Sequence, residues 1–295
     1  MFERITEKNK FSLNKPANTD KIYYSELKEW HTTNAFRSFS LKFVIEECIY
    51  YNKDGKEYPV KANTYMTACK YDNVKAYNQK PIKSICVDIC PKTVAEVFTI
   101  LTAKNEDLDA YLNSYFTYPE FLESMHSVYA TSVGNQLLQL NYLIQTGVSI
   151  HPGREWLLDL TERIIYQEYG NYLALKEIKL TKSSTRKEVL QRLQRAKEYM
   201  DTNFLKIKEI REVADHCGMS EYHFFRRFKE VYKKTPYQYI TEQKMHLAKY
   251  LLKGSRHSIS EIALSCNFPD VFTFSKAFKK FYGVPPSLMK YNINN

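Results

Sequence analysis

The stretch Ile210-Arg211-Glu212-Val213-Ala214-Asp215-His216-Cys217 returns at a constant offset of 49 as Ile259-Ser260-Glu261-Ile262-Ala263-Leu264-Ser265-Cys266. Past the turn that follows, the offset is 50. Phe224 answers Phe274, Phe228 answers Phe278, and Lys229, Tyr232 and Pro236 answer Lys279, Tyr282 and Pro286. One extra residue in the second turn explains the slip, since turns accept insertions most easily. Each copy reads as a short helix, a turn and a longer helix. Ser220 caps the longer helix of the first copy after the turn Gly218-Met219-Ser220, and Asp270 takes that place in the second. A pair of such units supplies two helices that fit the major groove of DNA.

The helical repeat sorts the residues of those two helices, which span 220–231 and 270–281. Phe224 and Phe228, four apart, mark the inner side of the first, with Val231 joining them. Glu221, Tyr222, Phe225 and Arg226 then fall on the outer side. In the second helix Phe274 and Phe278 are inner, and Phe272, Thr273 and Lys276 are outer. A guanidinium such as Arg226 matches guanine O6 and N7, and aromatic rings pack on thymine methyls. The alternative for Tyr222 and Phe225 is packing against the linker region or the other domain. Between the copies, Tyr239, Ile240, Met245, Leu247, Ala248 and Leu251 recur at helical spacing. They predict a long helix that holds the two units at a fixed separation.

Charge follows the duplication. The 295 residues carry 43 Lys and Arg against 33 Asp and Glu, a net +10. Residues 185–295 hold 21 of the basic and 11 of the acidic groups, so residues 1–184 hold 22 of each and are neutral. The whole positive excess therefore lies on the repeated segment, where it suits a phosphate backbone. With 44% hydrophobic residues and 8 Gly the chain should be ordered, and its length favours two domains. No apolar run approaches the length of a membrane span, and the polar start does not read as a secretory signal. The six cysteines lack zinc-type spacing, Cys86-x-x-x-Cys90 being the nearest to a pair, and are expected to be reduced thiols in a cytoplasmic protein.

Residues 1–180 form the expected N-terminal domain, β-rich over 35–90 and helical over 93–180. Phe39-x-Leu41-x-Phe43 alternates, Val44 to Tyr51 is rich in branched and aromatic residues, and Asp54-Gly55 signals a hairpin. Further strand-like runs follow at Glu57 to Val60, Thr64 to Cys69, Val74 to Tyr77 and Ile82 to Ile89. Such close spacing predicts an antiparallel sandwich or a small barrel. Pro91 ends the strands, and helices are expected from Thr93 and near 107–116 and 119–129. Leu137, Leu138, Leu140, Leu143 and Ile144 make one apolar stripe closed by Gly147. Trp156, Leu157, Leu160, Ile164 and Ile165 make another, opened by Pro152 and closed by Gly170. These stripes either cover the sheet or supply a homodimer contact. The polar run 176–187 reads as a linker, with 181–187 as its core and 188–295 as the C-terminal domain. Thr185-x-x-Glu188 is a capping box for a helix whose inner face is Val189, Leu190, Leu193, Ala196 and Met200.

Over residues 188–292 the chain resembles the AraC/XylS-type transcription regulators. The resemblance rests on Ala214, Gly218, Ser220, Phe228, Pro236, Ala248, Ile262-Ala263, Phe268, Phe274-Ser275-Lys276-x-Phe278-Lys279-Lys280, Gly283 and Pro286. Three positions depart from the pattern: Lys233 and Asn267 stand where Gly is usual, and Lys244 where Arg is usual. The resemblance implies an all-α domain of two helix-turn-helix units and a sequence-specific regulator that binds promoter or operator DNA, with RNA polymerase as a partner. It implies DNA contacts from Ser220, Tyr222, Phe225, Arg226, Phe272, Thr273 and Lys276. The N-terminal part resembles the cupin-like sensory domain of such regulators, which implies a jelly-roll or barrel holding a small organic effector. The overall class is then α+β. Phe39, Leu41, Phe43 and Tyr65 would line that barrel and make its interior apolar.

An enzyme fused to a DNA-binding module, such as a catalytic cupin, is the rival class. Metal-binding cupins gather several His and a Glu, whereas His31 is the only His before His126. A repair methyltransferase needs a reactive Pro-Cys-His loop, and Cys90-Pro91 has the reverse order. His126 and Glu46-Glu47 read as surface or capping residues. The expectation is no enzyme, no cofactor and no metal.

Overall fold

The computed structural model describes residues 2–10, 19–36, 38–69, 73–102, 125–129, 131–148, 152–176, 183–254 and 257–294. The chain divides into two compact units, Met1–Leu173 and Ala174–Asn295. The helix expected over 107–116 lies outside the described residues, as do most of the one expected over 119–129 and the Leu190 side chain.

The first unit is built on β1 (Phe2–Ile5), β2 (Lys21–Leu27), β3 (His31–Thr32), β4 (Phe39–Glu46) and β5 (Cys48–Lys53). They are followed by β6 (Lys56–Lys61), β7 (Thr64–Ala68), β8 (Lys75–Asn78), β9 (Ile82–Ile89) and β10 (Met125–Ser127). Six of these strands form one sheet in the order β1-β2-β9-β4-β7-β10, and the others form a second in the order β3-β8-β5-β6. Three of the connections that pass between the sheets, β4–β5, β6–β7 and β7–β8, contain Glu47, Asn63 and Asn73, each with a left-handed backbone, at φ of 65°, 63° and 62°. One such residue turns a strand sharply out of its plane, which is how corners between packed sheets are made. Asp54 and Gly55 close the β5–β6 hairpin with φ of 52° and 83°, the two positive values that a tight two-residue turn requires. Pro59 sits in β6, an edge strand, where its missing N–H leaves no gap in the ladder.

This architecture corrects the cupin-like barrel. The larger sheet ends in β1 and β10 and the smaller in β3 and β6, so among the described residues neither sheet closes on itself. The result is two open sheets face to face. Their shared core takes Tyr23, Leu27, Val44, Met66 and Ile82 from one and Ile49, Tyr51, Val60 and Ala76 from the other. Alternating patterns mark which strands are half-buried but do not say whether the last strand meets the first; the spacing left sandwich and barrel open, and the resemblance chose the barrel. Three strands ahead of residue 35, β1, β2 and β3, were also missed. β1 pairs parallel with β2, and β2 pairs antiparallel with β9, well outside the 35–90 window. Met125–Ser127, expected to be helical, instead pairs with β7.

Side chains alternate across β4, so Phe39, Leu41 and Phe43 point away from the second sheet, toward the helices. Those helices are α1 (Pro91–Thr102), α2 (Ser132–Gln145) and α3 (Arg154–Lys176). Val97 and Leu101 of α1 pack with Ile165 and Tyr169 of α3. Polar bonds fix α3 on the sheet: the Tyr65 hydroxyl donates to Gln167 Oε1 at 2.7 Å, and Thr67 Oγ1 donates to Glu168 Oε1 at 3.1 Å. His126, expected at the surface, is buried and sits 3.3 Å from the same Glu168 oxygen. Glu46 and Glu47 do lie at the surface, ion-paired with Lys83 and Lys80. Leu137, Leu138, Leu140 and Ile144 are buried within the unit, as are Leu157, Leu160, Ile164 and Ile165. Both stripes are thus largely covered within the first unit. Leu143 falls off the first stripe and is exposed, and α3 runs on through Gly170 to Lys176.

The second unit is helical among the described residues. It comprises α4 (Ser183–Asn203), α5 (Ile210–His216), α6 (Glu221–Tyr232), α7 (Pro236–Gly254), α8 (Ile259–Ser265), α9 (Val271–Tyr282) and α10 (Pro286–Asn294). Thr185, expected as a cap, lies inside α4 rather than ahead of it. Leu193, Ala196 and Met200 are fully buried on that helix. The central α7 buries Tyr239, Ile240, Met245, Leu247, Ala248 and Leu252; Leu251, assigned to the inner face from spacing, is only half-buried. Asp201 ties α4 to α7, accepting from the Tyr239 hydroxyl at 2.5 Å and from Lys197 Nζ at 2.9 Å.

Candidate nucleic-acid interface

Each repeat begins with a short capped helix. Glu209 and Glu212 form a reciprocal capping box at the start of α5, and Ser258 and Glu261 do so at α8. Hydrogen bonding to Ser258 holds the Glu261 carboxyl below the usual range. Val213 and Ala214 in one copy, and Ile262 and Ala263 in the other, are buried. Cys217 and Cys266 end the helices as buried thiols, pushed up in pKa by burial, Cys266 to about 12.

The turns show where the repeats diverge. Met219 N–H donates to Ala214 O, and Phe268 N–H donates to Ala263 O, each at 3.0 Å. The caps Ser220 and Asp270 then stand one residue out of step, so the inserted residue is Pro269. Two left-handed positions recur in each copy. Gly218 (φ 66°) matches Asn267 (φ 51°) in the turn, and Lys233 (φ 58°) matches Gly283 (φ 78°) after the longer helix. Where one copy uses glycine, the other carries a side chain. A cation from the preceding long helix also braces each turn: Arg192 donates to Gly218 O, and Lys244 donates to Asn267 O at 3.1 Å. Lys244 lies 5.4 Å from the Phe268 ring centre, and burial lowers its pKa.

The longer helices are near copies. Ser220 Oγ accepts from His223 N at 3.4 Å, and Asp270 Oδ1 accepts from Thr273 N at 2.7 Å. The second cap is charged, and its hydrogen bonds to Thr273 keep the Asp270 carboxyl below its ordinary value. Phe224, Phe228, Phe274 and Phe278 are fully buried. Burial runs in the same sequence through 221–228 and 271–278, position by position. Tyr222 and Phe272 stand 71% and 78% exposed at equivalent places, and Arg226 and Lys276 are exposed one turn further on. Phe225 and its equivalent Ser275 are half-buried. Thr273 is exposed, with its hydroxyl donated to Asp270 Oδ2 at 2.8 Å. His223, the equivalent of Thr273, is a further outward residue that the sequence reasoning passed over; the offset of 50 alone would have found it. Its ring lies 5.9 Å from that of Tyr222.

Residues 213–290 match the helix-turn-helix domain family. The helix-turn-helix domain is similar to segments of bacterial regulatory proteins. The MmsAB operon regulatory protein of Pseudomonas aeruginosa is 29% identical over 85 residues, 29% of this chain and 28% of that one. The Msm operon regulatory protein of Streptococcus mutans is 28% identical over 121 residues, 41% of this chain and 42% of that one. An AraC-type DNA-binding regulator of known structure from Chromobacterium violaceum is 24% identical over 36% of this chain and 94% of its own, with a TM-score of 0.34. The chain spans less than half the length of the curated relatives it matches.

The first unit offers a second, separate site. A cavity of about 50 Å³ opens between its two sheets, lined by Trp30, Lys42, Tyr51, Cys86 and Asp88 among others. Of the four residues expected to line a barrel, only Phe43 touches it. The space lies on the opposite face of β4 from most of that set, and its lining is partly charged. Lys42 Nζ lies 3.1 Å from Asp88 Oδ1. Burial works against the Lys42 ammonium, and Asp88 and Cys86 more than offset it, leaving the pKa raised. The Cys86 thiol is pushed up to about 12, first by burial and then by Asp88. Among the described residues no three His, Cys, Asp or Glu side chains gather as a metal site, and no helix is long and apolar enough to cross a membrane.

Proposed function

We propose that the chain is a sequence-specific DNA-binding transcription regulator of the AraC/XylS-like type, working in the cytoplasm at promoter or operator DNA. The observation that carries this reading is the matched outward face of α6 and α9, each presenting an exposed aromatic ring and, four residues on, an exposed cation. Buried phenylalanines hold both faces at the same rotation about their helix axes, as a pair of groove-reading helices needs. Tyr222, Phe225, Arg226, Phe272, Thr273 and Lys276 are the proposed base-contacting set, with Ser220 at the helix start near the phosphates. A footprint of the full chain on its operator is expected to cover two adjacent major-groove segments about 34 Å apart. Protection of a single segment would overturn the two-reader arrangement.

Residues 1–184, neutral overall, have no electrostatic reason to bind DNA, which supports a role for the first unit in sensing or self-association. A small organic effector with a polar end suits the cavity between the sheets, where Lys42 and Asp88 supply charge. A homodimer contact belongs on exposed residues such as Tyr142 and Leu143 of α2, because the apolar stripes are already covered. RNA polymerase is the proposed partner at the promoter. Titrating the purified chain with candidate metabolites while following its melting temperature tests the sensing role, since a ligand of the folded state raises it.

A further inference from the structure

Lys42 and Cys86 are directly opposite each other on the paired strands β4 and β9. Lys42 Nζ and Cys86 Sγ lie 2.7 Å apart. That is the lower end of the range for an N–H···O bond, and sulfur is the larger atom, so the contact is tighter than an N–H···S bond should be. Asp88 completes the group: its Oδ1 accepts from Lys42 Nζ at 3.1 Å and from Cys86 Sγ at 3.3 Å. All three side chains line the cavity between the sheets, which gives a small oxidant a route to them.

We propose that Lys42 and Cys86 form a reversible covalent crosslink in which one oxygen atom joins Nζ to Sγ. A nitrogen and a sulfur bound to a common oxygen sit at about the spacing seen here, and cross-strand registry holds the two atoms in place before any bond is made. Dioxygen is the oxidant. Its O=O bond breaks; one oxygen forms the new S–O and N–O bonds and the other leaves as water. Sulfur and nitrogen each give up two electrons, which accounts for the four that dioxygen takes. The thiol hydrogen and one ammonium hydrogen go into the water. A second ammonium hydrogen leaves as a proton, passing by way of Asp88 to solvent, and one stays on nitrogen. Two equivalents of a dithiol reverse the step, restoring thiol and amine, releasing water and becoming disulfides. In the crosslinked form the cavity loses its ammonium and keeps the Asp88 carboxylate.

The test is intact-mass measurement of the full chain purified in air, beside a sample kept anaerobic with dithiothreitol. The aerated chain is expected to be heavier by one oxygen less two hydrogens. Its tryptic map should contain a single species joining the Lys42 and Cys86 segments, uncut at Lys42. Dithiothreitol should abolish both signals, and Cys86→Ser and Lys42→Arg should each never show them. An unchanged mass after aeration overturns the proposal, as does gain of whole oxygen atoms on Cys86 without a joined peptide, or a crosslink that survives in Lys42→Arg. The wild-type peptide map decides even if a variant folds poorly.

Discussion

A side chain forced into the left-handed region costs about 1–2 kcal/mol relative to glycine. Lys233 occupies that region after α6, where Gly283 does so after α9. Lys233→Gly is therefore expected to stabilise the chain by about 1 kcal/mol, read as a raised urea midpoint with an unchanged slope; no gain would mean that Lys233 contacts offset its backbone cost. The residues proposed to read bases make a different kind of prediction. Arg226→Ala and Lys276→Ala should each lose about 1–3 kcal/mol of affinity for the preferred sequence and relax its choice at one position. A residue that only meets phosphate weakens all sequences alike and flattens the salt dependence. Competition binding with single-base operator variants separates the two, and uniform weakening would remove these residues from the reading set. The outward positions of Tyr222, Arg226, Phe272 and Lys276 were legible because two buried phenylalanines four apart fix a helix's rotation. Phe225 was less so, being half-buried at the edge of that face, where periodicity alone does not resolve inner from outer.

At the scale of elements, the longer helices of the two repeats differ in how they start. Ser220 caps α6 and does not titrate, whereas Asp270 caps α9 and Glu261 closes the box at α8. Hydrogen bonding depresses both carboxyl pKa values. A depressed folded-state value means that the stabilisation is present above the ordinary carboxylate range and is lost as pH falls through the folded-state value. The second repeat is thus expected to loosen in acid, below the ordinary range, and Asp270→Asn should remove part of that dependence. Amide exchange of α9 followed downward from neutral pH measures it, and a flat profile would count against the capping argument. Phe224→Ala and Phe274→Ala are each expected to cost about 3–5 kcal/mol, the usual loss for a buried aromatic ring. Denaturant unfolding checks this. Internal repetition made this region readable, because each copy corroborates the other's turns and caps. The strands lacked that support. β1 and β2 lie among polar residues, and their pairing with each other and with β9 is set by contacts distant in sequence.

For the molecule as a whole, charge is divided as sharply as structure: the positive excess lies entirely within residues 185–295. A fragment beginning at Ser183, which keeps α4 intact, is expected to fold and bind DNA with nearly the salt dependence of the full chain. A much shallower slope for the fragment, in a log–log plot of affinity against salt, would show that the first unit supplies phosphate contacts. Closure of the sheet was the large feature that the sequence could not settle, since the pairing of edge strands leaves no local mark on either. The open arrangement gives the six-stranded sheet two working sides. Lys42 and Cys86 face the cavity, while Tyr65 and Thr67, on the strand beside β4, hydrogen-bond α3 on the other side. A sheet is only one backbone thick, so it behaves as a diaphragm. Whatever pushes or draws in the strands from the cavity is felt at once by the helix pinned behind them, with no moving part other than the sheet itself.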